Sequence, residues 1–345
     1  MKKTEMSKAK KTNKARFVVL AVVCALIIVA VIVLLNSSVI RYKGTPDMDY
    51  SAGVLTRYDW LGRPSCIVRD EAVFYTVDYG NSGNGGVIRR VLNGKNEVVF
   101  ETTQFFDAVD RNTLVLRYNG NLVLYNIADE SRITIGDYGL ISAGNGKVYC
   151  YTEEKTDELH QYDTTVFDYN VEDGSISEIL HFVGTQVSYD HRGLFYTDNF
   201  VHKYYSFEDN KIIEEFEDIE WTDLKNAKND TNHSFARLGD KIMHTTDNIL
   251  EVYDLASGEM TTVLRGKSRL IYASMTEDAV YYSNRAVDIS LWTVKDEKNG
   301  TYKFSFETGE TEKISNKKYH YVVAIEEDIL VVEGALGRIK KVKVK

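Results

Sequence analysis

Leu194-Phe195-Tyr196-Thr197-Asp198 is an apolar, aromatic pentapeptide that ends in a hydroxyl and a carboxylate. Variants of it recur as Ala72-Val73-Phe74-Tyr75-Thr76, Lys147-Val148-Tyr149-Cys150-Tyr151 and Ala279-Val280-Tyr281-Tyr282-Ser283-Asn284. Looser relatives are Asn112-Thr113-Leu114-Val115-Leu116, Lys241-Ile242-Met243-His244-Thr245 and Asp328-Ile329-Leu330-Val331-Val332. β-Branched and aromatic residues in short runs suit a pleated, half-buried surface, so each reads as a strand. The segments begin near residues 72, 113, 147, 194, 241, 279 and 329, at spacings of 41, 34, 47, 47, 38 and 50. Repeats of about 40–50 residues, each built of four short strands, are the mark of a propeller blade.

Four strands can be placed around most of these segments. Unit one reads Cys66–Arg69, Ala72–Val77, Gly86–Leu92 and Glu97–Glu101, and unit two begins with Phe105–Val109. Unit three ends with Ile176–Phe182, and unit four begins separately with Gln186–Tyr189. Turns between third and fourth strands share a composition, as in Leu92-Asn93-Gly94-Lys95, Val171-Glu172-Asp173-Gly174 and Leu255-Ala256-Ser257-Gly258. Tight hairpins of this kind need positive φ, which Gly and Asn supply. Glu217 to Asn232 breaks the rhythm, is polar, contains Trp221 and reads as an insertion with a helical turn. Unit seven has only three strands, while a spare one, Gly53–Tyr58, precedes unit one. That strand is expected to close the outer edge of the last blade, because open sheet edges invite pairing with other chains. The expectation is an all-β, seven-bladed β-propeller over residues 51–345, preceded by one N-terminal transmembrane helix.

The N-terminal region is of a different kind. Residues 1–16 carry seven basic side chains against Glu5, a net of +6, and 17–36 carry no charge. Phe17 to Leu35 is an unbroken apolar run of 19 residues, close to the ~20 needed to cross a bilayer as a helix. It exceeds the usual signal-peptide core of ~7–15 residues, and Leu34-Leu35-Asn36-Ser37-Ser38 offers no small-x-small cleavage pattern. Residues 17–36 are thus expected to be an uncleaved single-pass anchor, with 37–50 a polar tether. The positive-inside rule leaves residues 1–16 as a cytoplasmic tail and puts the C-terminal domain outside.

The chain carries a net charge of −9, so residues 37–345 carry −15. A body this acidic is repelled by nucleic acid, which is excluded as a partner. Of three cysteines, Cys24 lies in the apolar run, and Cys66 and Cys150 fall in non-adjacent units, so no disulfide is expected between them. No metal or other cofactor is expected. The seven histidines show no i, i+4 pair, and the Asp-x-Asp-x-Asp-Gly calcium loop is absent. There is no Gly-x-Ser-x-Gly nucleophile elbow, and the Gly-rich loop 78–86 lacks the Gly-Lys-Ser/Thr of a phosphate cradle.

Phe195-Tyr196-Thr197-Asp198 and Tyr281-Tyr282-Ser283-Asn284 resemble the repeat of the YWTD-type β-propellers of lipoprotein-receptor ectodomains. The closer likeness is to bacterial relatives in which Tyr often replaces the Trp. Seven units stand here against the receptors' six, and several have lost the Thr-Asp pair. The resemblance covers about residues 50–345 and implies a binding or sensing module.

The repeated aromatics are read as packing between blades, and the Thr-Asp pair as satisfying backbone groups at strand ends. Function is sought where the units differ, on the face that gathers the loops after second and fourth strands. Candidate ligand-binding residues there are Tyr79, Asn81, Asn84, Trp221, Arg269, Arg285, Tyr319 and His320; Trp221 reads equally as the leading aromatic anchor or as a cap on the edge of the unit-four core. The expected function is a non-catalytic module that binds a cell-envelope protein or glycan, with the lipid bilayer engaged through 17–35. Two alternatives stand beside it. One is an envelope glycoside or peptide hydrolase using paired carboxylates near the channel; the other is a structural subunit of a membrane complex.

Overall fold

A computed structural model describes residues 20–29, 52–55, 66–78, 86–93, 95–101, 106–158, 161–189, 192–222, 233–246, 248–265, 268–286, 300–316, 321–325, 328–333 and 338–343. Strand β1 (Ala52–Leu55) is followed by unit one: β2 (Cys66–Arg69), β3 (Ala72–Asp78), β4 (Gly86–Leu92) and β5 (Lys95–Glu101). Unit two is β6 (Phe106–Ala108), β7 (Thr113–Tyr118), β8 (Asn121–Asn126) and β9 (Arg132–Gly136). Unit three comprises β10 (Gly139–Gly144), β11 (Lys147–Lys155), β12 (Tyr162–Asn170) and β13 (Ile176–Tyr189). Unit four shares β13 and adds β14 (Gly193–Asp198), β15 (Val201–Ser206) and β16 (Lys211–Ile213), followed by a 3-10 turn, Glu214–Asp218. Unit five has β17 (Ser234–Leu238), β18 (Lys241–Thr245), β19 (Ile249–Asp254) and β20 (Glu259–Arg265). Unit six has β21 (Ser268–Met275), β22 (Ala279–Ala286), β23 (Gly300–Ser305) and β24 (Thr311–Ser315). The last three strands are β25 (Tyr321–Ile325), β26 (Asp328–Glu333) and β27 (Arg338–Lys343).

Every unit is an antiparallel meander in sequence order. Neighbouring sheets meet along their first strands: β2 lies against β6, β6 against β10, β13 against β17 and β21 against β25. First strands therefore lie toward the inside, with β1 inside β21 in unit six, and the fold is all-β and propeller-like.

The quoted segment is the second strand of unit four, paired with β13 on one side and β15 on the other. Phe195 and Tyr196 are buried. Phe195 stacks on Phe235 of the next unit at 4.8 Å between centroids, and Tyr149 of unit three stacks on Phe207 of unit four at 3.8 Å. Aromatics of successive units thus fill the space between sheets, as expected. The Thr197 hydroxyl accepts the Thr185 backbone N–H at 3.0 Å, and Asp198 accepts Lys203 Nζ at 3.2 Å. Both serve the strand end.

Two expectations need correction. Ile176–Tyr189 is one continuous strand, not two. Gly184 pairs with Tyr162 of β12 and with Asp198 of β14, so the fourth strand of unit three runs straight into the first strand of unit four. A glycine at that junction lets the Thr197 carbonyl approach where a Cβ would stand. Second, the spare N-terminal strand does not extend β25–β27, which is three-stranded among the described residues. Ala52–Leu55 pairs antiparallel with β21, the inner strand of unit six, and also lies against β17. The inner edge of β21 presents unpaired backbone groups, and a strand laid along it satisfies them. Residues 56–58 of the expected closing strand lie outside the described residues.

Inner strands are tied together by one charged pair. Asp107 on β6 accepts the Ala108 N–H at 2.7 Å through Oδ1 and the Ala143 N–H at 2.8 Å through Oδ2. Arg69, at the end of β2, reaches Asp107 at 3.4 Å and donates to the carbonyls of Ala108 at 3.1 Å and Ala143 at 2.9 Å. Units one, two and three are clasped by this pair. Asp107→Asn turns an acceptor into an NH₂ facing an N–H donor or the guanidinium. We expect it to cost about 1–3 kcal/mol, read as a lowered midpoint in urea unfolding of the full chain.

Residues 20–29 form a helix in which every residue is apolar and exposed. No helix among the described residues is long and apolar enough to cross a membrane. Residues 17–19 and 30–36 of the expected anchor, and the basic tail 1–16, lie outside the described residues, as does the tether 37–50.

Candidate functional site

Unit five contains a set of buried polar groups unlike anything in the other described units. The second strand β18 carries His244 between Met243 and Thr245, and the third strand β19 carries Glu251 between Leu250 and Val252. Both are 0% exposed, and the hairpin register sets them directly opposite each other. His244 Nδ1 meets Glu251 Oε1 at 2.7 Å, and His244 Nε2 meets His233 Nδ1 at 2.8 Å. Thr222 completes the carboxylate: its N–H donates to Oε1 at 3.0 Å and its hydroxyl to Oε2 at 2.7 Å.

The protonation pattern follows from these contacts. Burial pushes the Glu251 carboxyl upward, but donation from His244 and Thr222 outweighs it and holds the group below its ordinary value. An ionised Glu251 requires the His244 proton on Nδ1. In the neutral ring Nε2 is then an acceptor, and His233 donates to it. His202, on β15 of the neighbouring unit, is held below its ordinary value by burial and by His244. The carboxylate orients one imidazole and that imidazole orients a second, which is the arrangement of a proton relay. Its three members are 0–4% exposed, so here it is an internal strut between strands and the segment carrying Thr222.

Trp221 sits over this network. Its ring lies 5.2 Å from His244 and 5.2 Å from Phe235, with Phe216 and Tyr253 beyond. It is 4% exposed and belongs to the core cluster with Phe195, Tyr204 and Ile242. As a surface anchor it is therefore corrected: the insertion folds its aromatic inward, capping the core between units four and five. Among the described residues its indole N–H finds no acceptor.

Arg269 and Arg285 face each other across the β21–β22 register, which brings those two together. Their side chains lie outside the described residues. Tyr79, Asn81, Asn84, Tyr319 and His320 also lie outside them.

On the loop face, the β14–β15 turn displays what the inward Trp221 does not. Asn199 and Phe200 both have positive φ, 47° and 68°, as a two-residue I′ turn demands. Asn tolerates this region, whereas a bulky Phe there is an outlier. The Phe200 ring is 76% exposed. Lys203 braces the turn between Asp198 at 3.2 Å and Glu217 at 3.9 Å.

Two features escaped the sequence reading. The His244–Glu251 pair was hidden because a helical spacing rule cannot see it; counting register outward from the β18–β19 turn would have paired them. His233 lies just before β17, in no pattern. Among the described residues, no group of three or more His, Cys, Asp or Glu side chains could hold a metal ion. Cys150 is free and buried, and burial together with Asp168 pushes its thiol up to about 12.

No protein-family model matches the chain, and no curated protein matches it in sequence. Among solved structures, similarity extends to an oligogalacturonate lyase in complex with manganese (10% identity, TM-score 0.46, 88% of this chain and 96% of that one). It extends also to a puromycin-hydrolysing peptidase of Mycobacterium tuberculosis (9%, 0.47, 87% and 57%) and to the acylaminoacyl peptidase of Pyrococcus horikoshii (12%, 0.47, 85% and 51%). The chain spans little more than half the length of the two peptidases. These are likenesses of shape. The fold itself rests on the strand pairings given above.

Proposed function

We propose that this chain is a membrane-anchored, seven-bladed propeller of YWTD-like type that binds a protein or glycan at the cell envelope and does no chemistry. The seven blades are the seven meanders beginning at β2, β6, β10, β13, β17, β21 and β25. The observation that carries the binding role is Phe200. A large aromatic is held 76% exposed on a braced turn, in a backbone region it disfavours, while the acid–base groups of unit five are shut away from solvent. Exposed aromatics on rigid scaffolds are the usual anchors of interfaces. The anchor is supported by the 17–35 run and by helix 20–29, whose apolar side chains are exposed all round. With the Lys-rich tail inside, the propeller lies outside the cell.

Two measurements test this. Full-length protein mixed with liposomes should float with them and stay bound after a carbonate wash; sedimentation without lipid would defeat the anchor. Phe200→Ser should weaken capture of envelope glycan or protein by the bilayer-held chain about tenfold or more. Equal capture by both proteins would remove the turn from the binding surface.

A further inference from the structure

The direction of β1 fixes which end of the propeller faces the anchor. In β21, Met275 precedes the turn at 276–278 that leads to the second strand, and Ser268 lies at the opposite end. Ala52 pairs with Met275 and Leu55 with Tyr272. The chain therefore enters the molecule at the end bearing the turns between first and second strands, and runs along the inner edge of unit six toward the other end. Alternation within each meander puts the turns between third and fourth strands at that same entry end. The turns after second strands, Asn199-Phe200 among them, lie at the far end.

β1 is hydrogen-bonded into a sheet and flanked by β17 on its other side. Its direction is thus set by backbone pairing. Fifteen residues, 37–51, separate it from the end of the expected anchor at residue 36. A flexible chain of that length would span about 21 Å root-mean-square. Strands of six residues make the propeller on the order of 20 Å tall. To put the far end against the membrane, the connector would have to leave the entry end, pass round the rim and climb the outside, which would take its whole fully extended reach of about 50 Å.

We infer that the end carrying the first-to-second and third-to-fourth turns faces the bilayer, and that the end displaying Phe200 points away from it, open to partners outside. This rests on the anchored reading above. The bilayer-facing end is exposed and acidic at Asp129, Glu130, Glu172, Asp173, Glu277 and Asp278. Anionic headgroups repel such a surface within a Debye length, so the propeller stands off on its connector instead of lying on lipid.

The test uses the full chain with Cys24→Ser and Cys66→Ser, reconstituted in vesicles containing an acceptor-labelled lipid. A donor dye is placed at Asp173→Cys, in a third-to-fourth turn, or at Asp157→Cys, after the second strand of the same unit. Both sites are exposed. Energy transfer from residue 173 should exceed that from 157 about twofold or more, given ends some 20 Å apart. Equal transfer, or greater transfer from 157, in protein that floats with the vesicles overturns the orientation and leaves the anchor standing. Protein that does not float overturns both.

Discussion

Glu251→Ala is expected to be the most damaging single substitution in the described part of the chain. It removes a carboxylate that is 0% exposed and satisfies Thr222 twice and His244 once. Deleting it leaves the Thr222 N–H, the Thr222 hydroxyl and the His244 N–H buried without their acceptor, at about 1–3 kcal/mol for each group left unsatisfied. For a domain of this size each kcal/mol moves the melting midpoint by about 2–4 °C, so calorimetry should show a fall on the order of 10 °C. Glu251→Gln keeps the shape and one carbonyl acceptor for Thr222, and should lose less than half as much. A fall for Ala no larger than for a surface substitution would mean that the His244–Glu251 contact contributes nothing.

The same residue sets a pH dependence with a definite sign. Its folded carboxyl titrates below its ordinary value. The stability it supplies is therefore fully present above about pH 4.5 and is lost as the pH falls through the lower folded value. Wild-type protein should lose stability across that acid window, and Glu251→Gln should show a shallower slope there. Parallel acid limbs for the two proteins would remove Glu251 as the cause.

Gly184→Ala is the second large effect. Gly184 is the point where β13 passes from pairing with β12 to pairing with β14 in one seven-stranded sheet, and a Cβ there would run into the Thr197 carbonyl oxygen. That oxygen is backbone, so relief requires shifting β14 itself. Overpacking of this kind costs about 1–3 kcal/mol, occasionally more. Gly120→Ala provides a contrast: Gly120, unlike Gly184, has a positive φ, of 85°, and nothing stands near its Cβ. Its cost is conformational strain alone, about 1 kcal/mol. Urea midpoints of the two variants should separate in that order; a Gly184 variant as stable as wild type would mean that units three and four do not depend on the shared strand.

Much of the architecture is written in the local pattern. Alternating aromatic and β-branched residues marked the second strands at Ala72, Lys147, Gly193 and Ala279, and Gly/Asn positions marked their turns. The pattern did not show that Ile176–Phe182 and Gln186–Tyr189 are one strand, because Gly184 between them reads as a turn residue. A glycine chosen for close backbone approach and one chosen for positive φ look the same in a sequence. The destination of the N-terminal strand was likewise invisible. An edge strand of alternating character can pair with any free edge, and which edge is free and adjacent is a property of the assembled ring of sheets.

The site was less legible for a related reason. Trp221 stood out as a lone aromatic in a polar insertion, the composition of an exposed anchor. Packing decided otherwise, since the apolar ring gains more beside Phe216 and Phe235 than in water. Phe200 falls on the expected loop face by its place in the repeat, and its turn geometry is what exposes the ring.

By itself, then, the sequence determined the repeat, the strand content, the charge imbalance between tail and body and the apolar run at 17–35. These depend on neighbours a few residues apart. Tertiary structure alone decided the pairing of His244 with Glu251, the inward turn of Trp221 and the lodging of β1 beside β21. Each of these depends on which distant surfaces meet, and burial and unpaired backbone groups, rather than local propensity, settle that.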